Sequence, residues 1–126
     1  MRYLLDTNVV VWLLLGDRQA VPEHVVETIS SPDAEPHVSA ASVWEIAIKR
    51  SLGKLTIEPS WAQTLARLDL TPLPINATHA AGVEALPWLH RDPFDRLLVA
   101  QALVEGCTLV TSDRQLDAYE VSTLWA

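Results

Sequence analysis

The chain is poor in cysteine, in glycine and in basic side chains, and it has no long apolar run. A single cysteine, Cys107, among 126 residues excludes an intrachain disulfide and a cysteine-based zinc cluster. A reduced, cytoplasmic setting is the expectation, with Cys107 a buried, inert thiol in an apolar stretch. The longest apolar run, Val9 to Leu15, is far too short to span a bilayer, so no membrane association is expected. Asp6 and Asn8 interrupt the apolar N-terminal region, and no small-residue cleavage site follows, which argues against a secretory leader. The four glycines are isolated, so there is no phosphate-cradling loop, and a G-x-S-x-G elbow is absent. Nine Lys plus Arg stand against 16 Asp plus Glu, a formal charge of −7. That balance argues against tight nucleic-acid binding by a broad basic face. It does not exclude a nuclease, because a metal site needs carboxylates of its own.

What is present is enough for a folded core. Hydrophobic residues make up 49% and charged residues 20%, and no repeat or flexible linker divides the chain, so one domain over 1–126 is expected. Tyr3 to Leu5 reads as a buried strand, and Asn8 to Leu15 as a buried helix ended by Gly16. Pro22 opens a second helix. His37-Val38 is a short strand, after which Ser39 or Ser42 caps a helix to about Leu52. Pro59 and Ser60 start a further helix. Leu70 to Ile75, with Pro72 and Pro74, can only be an edge strand. Asn76 caps a helix to about Leu86. Asp92 is a natural N-cap and Pro93 a natural first residue for a helix ended by Gly106. Thr108 to Val110 is a strand, Arg114 to Asp117 a short helix, and Val121 to Leu124 a last strand. Strands alternate with helices throughout, which predicts an α/β domain with a mostly parallel central sheet flanked by helices on both faces. Ligands bind such sheets at the carboxyl ends of the strands.

Four acids are candidates for a site there. Asp6 closes the first strand and can equally cap the helix that follows. Asp113 stands in the same relation to the strand Thr108 to Val110. Asp95 falls in the first turn of its helix, three residues after Asp92, where the helix dipole favours an anion by roughly 0.3–1 kcal/mol. Glu45 has apolar neighbours, and with Lys49 four residues on it reads, alone, as half of a surface ion pair. Together they suggest more, because acids converging on one sheet edge repel one another without a cation. Mg²⁺ and Mn²⁺ take such oxygen ligands. His24, His37, His79 and His90 are scattered and form no zinc spacing; His90, the one nearest a candidate acid, reads as a loop or surface residue. Among the five tryptophans, Trp44 and Trp61 fit helix core faces, Trp12 lies in the first helix, and Trp88 reads as a lid over the core.

The sequence resembles the PIN-domain ribonucleases, specifically the VapC-like toxins of toxin–antitoxin pairs. The resemblance is carried by Leu5-Asp6-Thr7-Asn8, by Ser42-Val43-Trp44-Glu45-Ile46, and by His90-Arg91-Asp92-Pro93-Phe94-Asp95-Arg96-Leu97-Leu98. Ala100-Gln101-Ala102 and Thr111-Ser112-Asp113 complete it, in order over nearly the whole chain. It implies a PIN-like α/β/α sandwich and Mg²⁺- or Mn²⁺-dependent endonucleolytic hydrolysis of RNA with one or two ions, inhibiting translation. It assigns Asp6, Glu45, Asp95 and Asp113 to the metal, with Asp92 as a supporting acid and Asn8, Thr111 and Ser112 orienting the quartet. It further implies a small VapB-like antitoxin, a homodimer and a higher toxin–antitoxin complex. Lys49, Arg50, Arg91, Arg96 and Arg114 lie near these acids in sequence, Lys54 just beyond, and are candidates for contacts to RNA phosphates. Three other readings compete: a PIN-fold RNA-processing nuclease, a non-catalytic metal- or RNA-binding module, and a phosphate-accepting receiver domain. The receiver needs a lysine at a late strand end, and only Lys49 and Lys54 exist.

Overall fold

The computed structural model describes residues 1–17 and 19–126. Five strands form one sheet: β1 (Arg2–Leu5), β2 (Glu35–Ser39), β3 (Thr71–Leu73), β4 (Thr108–Thr111) and β5 (Thr123–Trp125). Their order is β3-β2-β1-β4-β5, and every pairing is parallel. The α-helices are α1 (Thr7–Leu15), α2 (Glu23–Ser30), α3 (Ala40–Ser51), α4 (Trp61–Arg67), α5 (Ala77–Gly82) and α6 (Pro93–Glu105). Two short 3₁₀ turns follow α5 and β4, at Val83–Ala85 and Arg114–Ala118.

The strand side chains divide two cores. Leu4 and Leu109 pack on Leu98, Val99 and Ala102 of α6. Tyr3, Leu5, Val38 and Val110 pack on the other face, against Val9 and Val10 of α1, Val25 of α2, Ile46 of α3 and Leu65 of α4. The result is the α/β/α sandwich that the alternating elements predict. Both sheet faces are covered, which is why β1 and β4 read as unbroken apolar runs. Pro72 lies in the edge strand β3, where its missing N–H leaves no central ladder position unpaired.

Local capping sets the helix starts. Asp6, Ser39, Asn76 and Asp92 cap α1, α3, α5 and α6 through their side chains. Each such cap is worth about 1 kcal/mol. Gly16 and Gly106 end α1 and α6 at φ 67°, a conformation that costs glycine nothing.

Several sequence expectations change. The helix α1 is not buried on all sides: Val9 and Val10 are, but Leu15 is 52% exposed. Trp44 faces solvent instead of the core, because α3 buries Ala41, Ser42, Glu45 and Ile46, which places Trp44 on the opposite side. Trp88 is likewise exposed and covers the Arg96 guanidinium at 4.0 Å, not an apolar surface. The helix expected to reach Leu86 stops at Gly82 and continues as a 3₁₀ turn. There the Leu86 carbonyl accepts from Arg96 Nη2, and the Val83 carbonyl accepts from both Arg96 Nη2 and the Leu86 N–H.

The chain lays β1, β2 and β3 outward in one direction, then returns to place β4 on the free side of β1. The order reverses at the β1–β4 boundary, the position at which parallel sheets open a crevice beyond their strand ends. The Asp6 N–H donates to the Val110 carbonyl at 2.9 Å and holds that boundary closed.

Candidate active site

Asp6 follows the last residue of β1 and is 3% exposed. Its Oδ1 accepts from the N–H groups of Asn8 (2.9 Å) and Val9 (3.2 Å). Its Oδ2 accepts from the Thr111 hydroxyl at the end of β4. Burial still lifts the Asp6 carboxyl above its ordinary value, despite these three donors. The Thr111 hydroxyl also accepts from the Asp113 N–H at 3.0 Å, so one threonine ties the two strand-end acids together. Asp113 Oδ1 caps the following 3₁₀ turn through the Gln115 N–H at 3.0 Å.

Two further acids arrive on α6. Asp92 Oδ1 caps it through the N–H groups of Phe94 (2.8 Å) and Asp95 (3.2 Å). That cap turns Asp95, in the first helical turn, toward the sheet edge. Burial pushes the Asp95 carboxyl up to about 6, with Asp92 and Asp6 adding to the rise and a hydrogen bond from His90 opposing it. The arm that fixes α6 is Gln101, whose Oε1 accepts from the Ser39 hydroxyl and whose Nε2 reaches the Pro74 carbonyl at 3.4 Å. Ser39 is itself the α3 cap, accepting from the Ala41 N–H at 3.0 Å. The helix that carries Asp95 is thereby linked to the one that carries Glu45.

Glu45 sits one turn into α3 and is 5% exposed. The Thr7 and Ser42 hydroxyls meet at 3.0 Å and hold the start of α1 against α3. Glu45 Oε2 pairs with Lys49 Nζ at 2.8 Å, so the pair predicted from sequence exists, with its ammonium exposed and its carboxylate buried. Glu45 holds the Lys49 ammonium above its ordinary value. Glu45 Oε1 is buried and has no hydrogen-bond partner among the described residues. An orphaned carboxylate oxygen of this kind costs free energy on the order of 1–3 kcal/mol unless something polar or cationic meets it.

Asp6, Thr7, Asn8, Glu45, Lys49, Asp92, Asp95 and Asp113 line one cavity of about 80 Å³. Five carboxylates therefore share a small space with one ammonium group. A hard divalent cation fits this donor set, and the orphaned oxygen of Glu45 is the specific observation that asks for one.

The other sequence candidates divide. Thr111 links Asp6 to Asp113, whereas the contact of Asn8 to Asp6 is made by its main chain. Ser112 is half-buried, and no side-chain hydrogen bond is found for it among the described residues. Arg96 does not face the solvent at all: it is 2% exposed. Its guanidinium donates to the carbonyls of Val83, Leu86 and Pro87 and to Tyr119 Oη. It is a clamp on the loop before α6 and is unavailable to RNA, because the main chain there needs its donors. Arg50 is tethered to the Ile57 carbonyl at 3.1 Å. Arg91 and Arg114 are exposed and adjoin the cavity-lining Asp92 and Asp113 in sequence, Arg114 lying 4.0 Å from the centre of the Trp125 ring. His90 lies in the loop before α6, as expected, and is half-buried, with Nε2 2.8 Å from Asp95 Oδ2 and 3.4 Å from Asp113 Oδ2. Its sequence signals were proximity to Asp95 and its place at the head of the His90-Arg91-Asp92-Pro93-Phe94-Asp95 segment.

Comparison with known proteins agrees with this architecture. The PIN-domain family profile matches residues 3–121. No curated protein sequence matches the chain. The structure of VapBC2 from Rickettsia felis bound to a DNA fragment from its promoter superposes with a TM-score of 0.77 at 16% identity, covering 100% of this chain and 99% of that one. VapBC-1 from nontypeable Haemophilus influenzae gives 0.69 at 18% identity, covering 99% and 98%. DNA-bound VapBC from Salmonella typhimurium gives 0.70 at 18% identity, covering 98% and 97%. At such identities the structural likeness speaks for the fold, while the profile match over almost the whole chain places it in a family: the protein belongs to the PIN-domain family.

Proposed function

We propose that the protein is a divalent-metal-dependent endoribonuclease and the toxin of a VapBC-type pair, acting in the cytoplasm as a single PIN domain to inhibit translation. The observation that carries the reading is the orphaned Glu45 Oε1 in a cavity walled by Asp6, Asp92, Asp95 and Asp113 at the sheet's switch point. Asp6, Glu45, Asp95 and Asp113 would hold Mg²⁺ or Mn²⁺, one ion or two, with Asp92 at the rim. A divalent ion held there would supply Lewis acidity, making water nucleophilic and offsetting the charge that builds on the phosphoryl oxygens.

The chain's own residues do the remaining work. Asn8 and Val9 N–H groups and the Thr111 hydroxyl fix Asp6 before any substrate arrives. Such pre-orientation removes reorganisation from the chemical step. Lys49 balances Glu45 and brings positive charge to the cavity wall. Exposed Arg91 and Arg114 border the site and take RNA phosphates. The protein is acidic overall, so RNA is held locally and binds weakly without metal.

A VapB-like antitoxin is the proposed partner, in a complex that also contains a toxin homodimer. The VapBC assemblies that share this fold support that partner. A groove of about 560 Å³ between α1, α2 and the end of α4, lined by Trp12, Leu13, Val26 and Leu68 with Glu23 and Glu27 at its edge, also suits a protein partner.

The test is RNA cleavage with Mg²⁺ or Mn²⁺ by the wild type and by Asp6→Asn. The reading expects cleavage to need metal and to fall by roughly 10³-fold or more in the variant, with circular dichroism and melting temperature showing a native fold. Cleavage that persists in Asp6→Asn, or in excess chelator, would falsify it.

A further inference from the structure

The acid cavity has a nitrogen at its edge that the four-acid assignment does not use. We propose that His90 is itself a ligand to the divalent ion, through Nε2 and together with Asp95 and Asp113, and that this nitrogen makes the site prefer Mn²⁺ over Mg²⁺. The inference rests on the metal-nuclease reading above and names the cation that reading leaves open.

Three observations carry it. The first is spacing. His90 Nε2 lies 2.8 Å from Asp95 Oδ2 and 3.4 Å from Asp113 Oδ2, and the three ligand atoms all fall within 4.8 Å of one another. Neighbouring ligands of a six-coordinate ion with bonds of about 2.1 Å are about 3 Å apart, so the triad needs only small adjustments to close on one ion. The second is that the backbone carrying the imidazole is anchored. The His90 main-chain N–H donates to Tyr119 Oη at 3.0 Å, and Tyr119 is 4% exposed. Arg96 anchors the same loop at the Pro87 carbonyl, 2.9 Å away. The third is the unpartnered Glu45 Oε1 in the cavity that Asp95 and Asp113 also line, which points to a cation independently of the histidine.

The remaining histidines are placed differently. His37 Nδ1 is engaged by the main-chain carbonyls of Tyr3 and Glu35. His79 is paired with Glu105, and His24 is exposed on α2. His90 alone among them faces two carboxylates of the cavity.

The selectivity follows from ligand chemistry. Mg²⁺ holds to oxygen ligands and retains its waters, whereas an imidazole nitrogen suits the softer first-row transition ions. Ligation through Nε2 requires the ring proton to sit on Nδ1. Nδ1 accepts from the Arg91 N–H at 3.1 Å, in an exposed contact. Water replaces that contact at little cost.

The experiment uses the full chain stripped of metal and loaded with less than one equivalent of Mn²⁺. Electron spin-echo envelope modulation should show a directly bound ¹⁴N in the wild type and lose it in His90→Gln. Calorimetric titration should show Mn²⁺ affinity falling roughly tenfold or more in His90→Ala, and Mg²⁺ affinity falling less. Bound Mn²⁺ with no nitrogen modulation in the wild type overturns the proposal, and that spectrum decides the matter even where a variant fails to fold. An equal loss of both affinities also overturns it, since His90 would then only orient Asp95. Failure of the wild type to bind either ion overturns the nuclease reading as well. RNA cleavage that survives Asp6→Asn, with the nitrogen signal intact, overturns the nuclease reading alone.

Discussion

The two ends of α6 carry the same chemical pair at the same distance and treat it in opposite ways. At the start, His90 Nε2 meets Asp95 at 2.8 Å; at the end, His79 Nε2 meets Glu105 at 2.8 Å. The Asp95 carboxyl is pushed up to about 6, whereas Glu105 is held below its ordinary value. The helix dipole cannot be the reason. It favours an anion at the start and opposes one at the end, by roughly 0.3–1 kcal/mol, which is the reverse of what is found. Surroundings win instead. Asp95 is only partly buried, its side chain 21% exposed, but desolvation there and the neighbouring Asp92 and Asp6 raise it, and its histidine does not offset them. Glu105 is partly exposed, and Arg2 joins His79 around it, the Arg2 guanidinium lying 3.5 Å from Oε2. One end is a balanced clasp between α5, α6 and β1. The other holds more negative charge than its own side chains can neutralise, which is what a cation site requires before its cation binds.

The contrast can be broken most forcefully at Arg96. This cation stands next to Asp95 in sequence, yet its donors go to main-chain carbonyls. Arg96→Ala should destabilise the protein by roughly 3–5 kcal/mol, because several buried carbonyls lose their partner; denaturant unfolding measures it. A loss below about 1 kcal/mol would show that the clamp is dispensable.

Removing the excess charge should do the opposite. Metal-free Asp95→Asn should be more stable than wild type at pH 7, by up to roughly 3 kcal/mol, while losing the stabilisation that added Mn²⁺ gives the wild type. The sign follows from linkage. A carboxyl raised from 3.8 to about 6 holds more protons folded than unfolded across that interval. Its stability is fully present below 3.8 and is lost as pH rises through about 6. Melting temperatures of wild type and variant should therefore converge on acidification toward pH 4. A constant gap would mean that Asp95 is not charged at a cost.

Glu105→Gln should behave with the reverse sign and a smaller size. It should lose roughly 0.5–1 kcal/mol at neutral pH. Because the folded pKa is lowered, that difference should be present above the ordinary value of 4.5 and vanish as pH falls through the lower folded value. A difference that grows on acidification would contradict the clasp. The smallest expected effect is at the rim: Arg91→Ala should reduce the slope of log affinity for RNA against log salt by about one. An unchanged slope would remove Arg91 from the RNA path, leaving Arg114 and Lys49 as the basic groups to test.

Much of this was written locally in the chain. Asp6, Asp92 and Asp113 each declare a helix start within two or three residues, and all three cap as read. Alternating apolar runs and caps were sufficient for the parallel α/β sheet, because strand burial and capping depend on neighbours in sequence. Placing Asp6 and Asp113 at strand ends needed nothing more. The decisive features of the site were not local. Glu45 resembled half of a surface pair, but α1 and α6 pack on α3, and its carboxylate is buried with one oxygen unpartnered. Trp44 was assigned to a core that lies on the other side of its helix. Arg96 looked like a phosphate contact among acids, yet the carbonyls of a loop 6–13 residues away claimed it. His90 met Asp113 across 23 residues of sequence only through the packing of α6 on β4. Sequence by itself determined the fold class and the strand-end acids, since those follow from short-range periodicity and capping. Tertiary structure alone decided which charges are buried, which are balanced and which face an unmet demand for a cation, because burial and Coulomb neighbours are set by elements far apart in the chain.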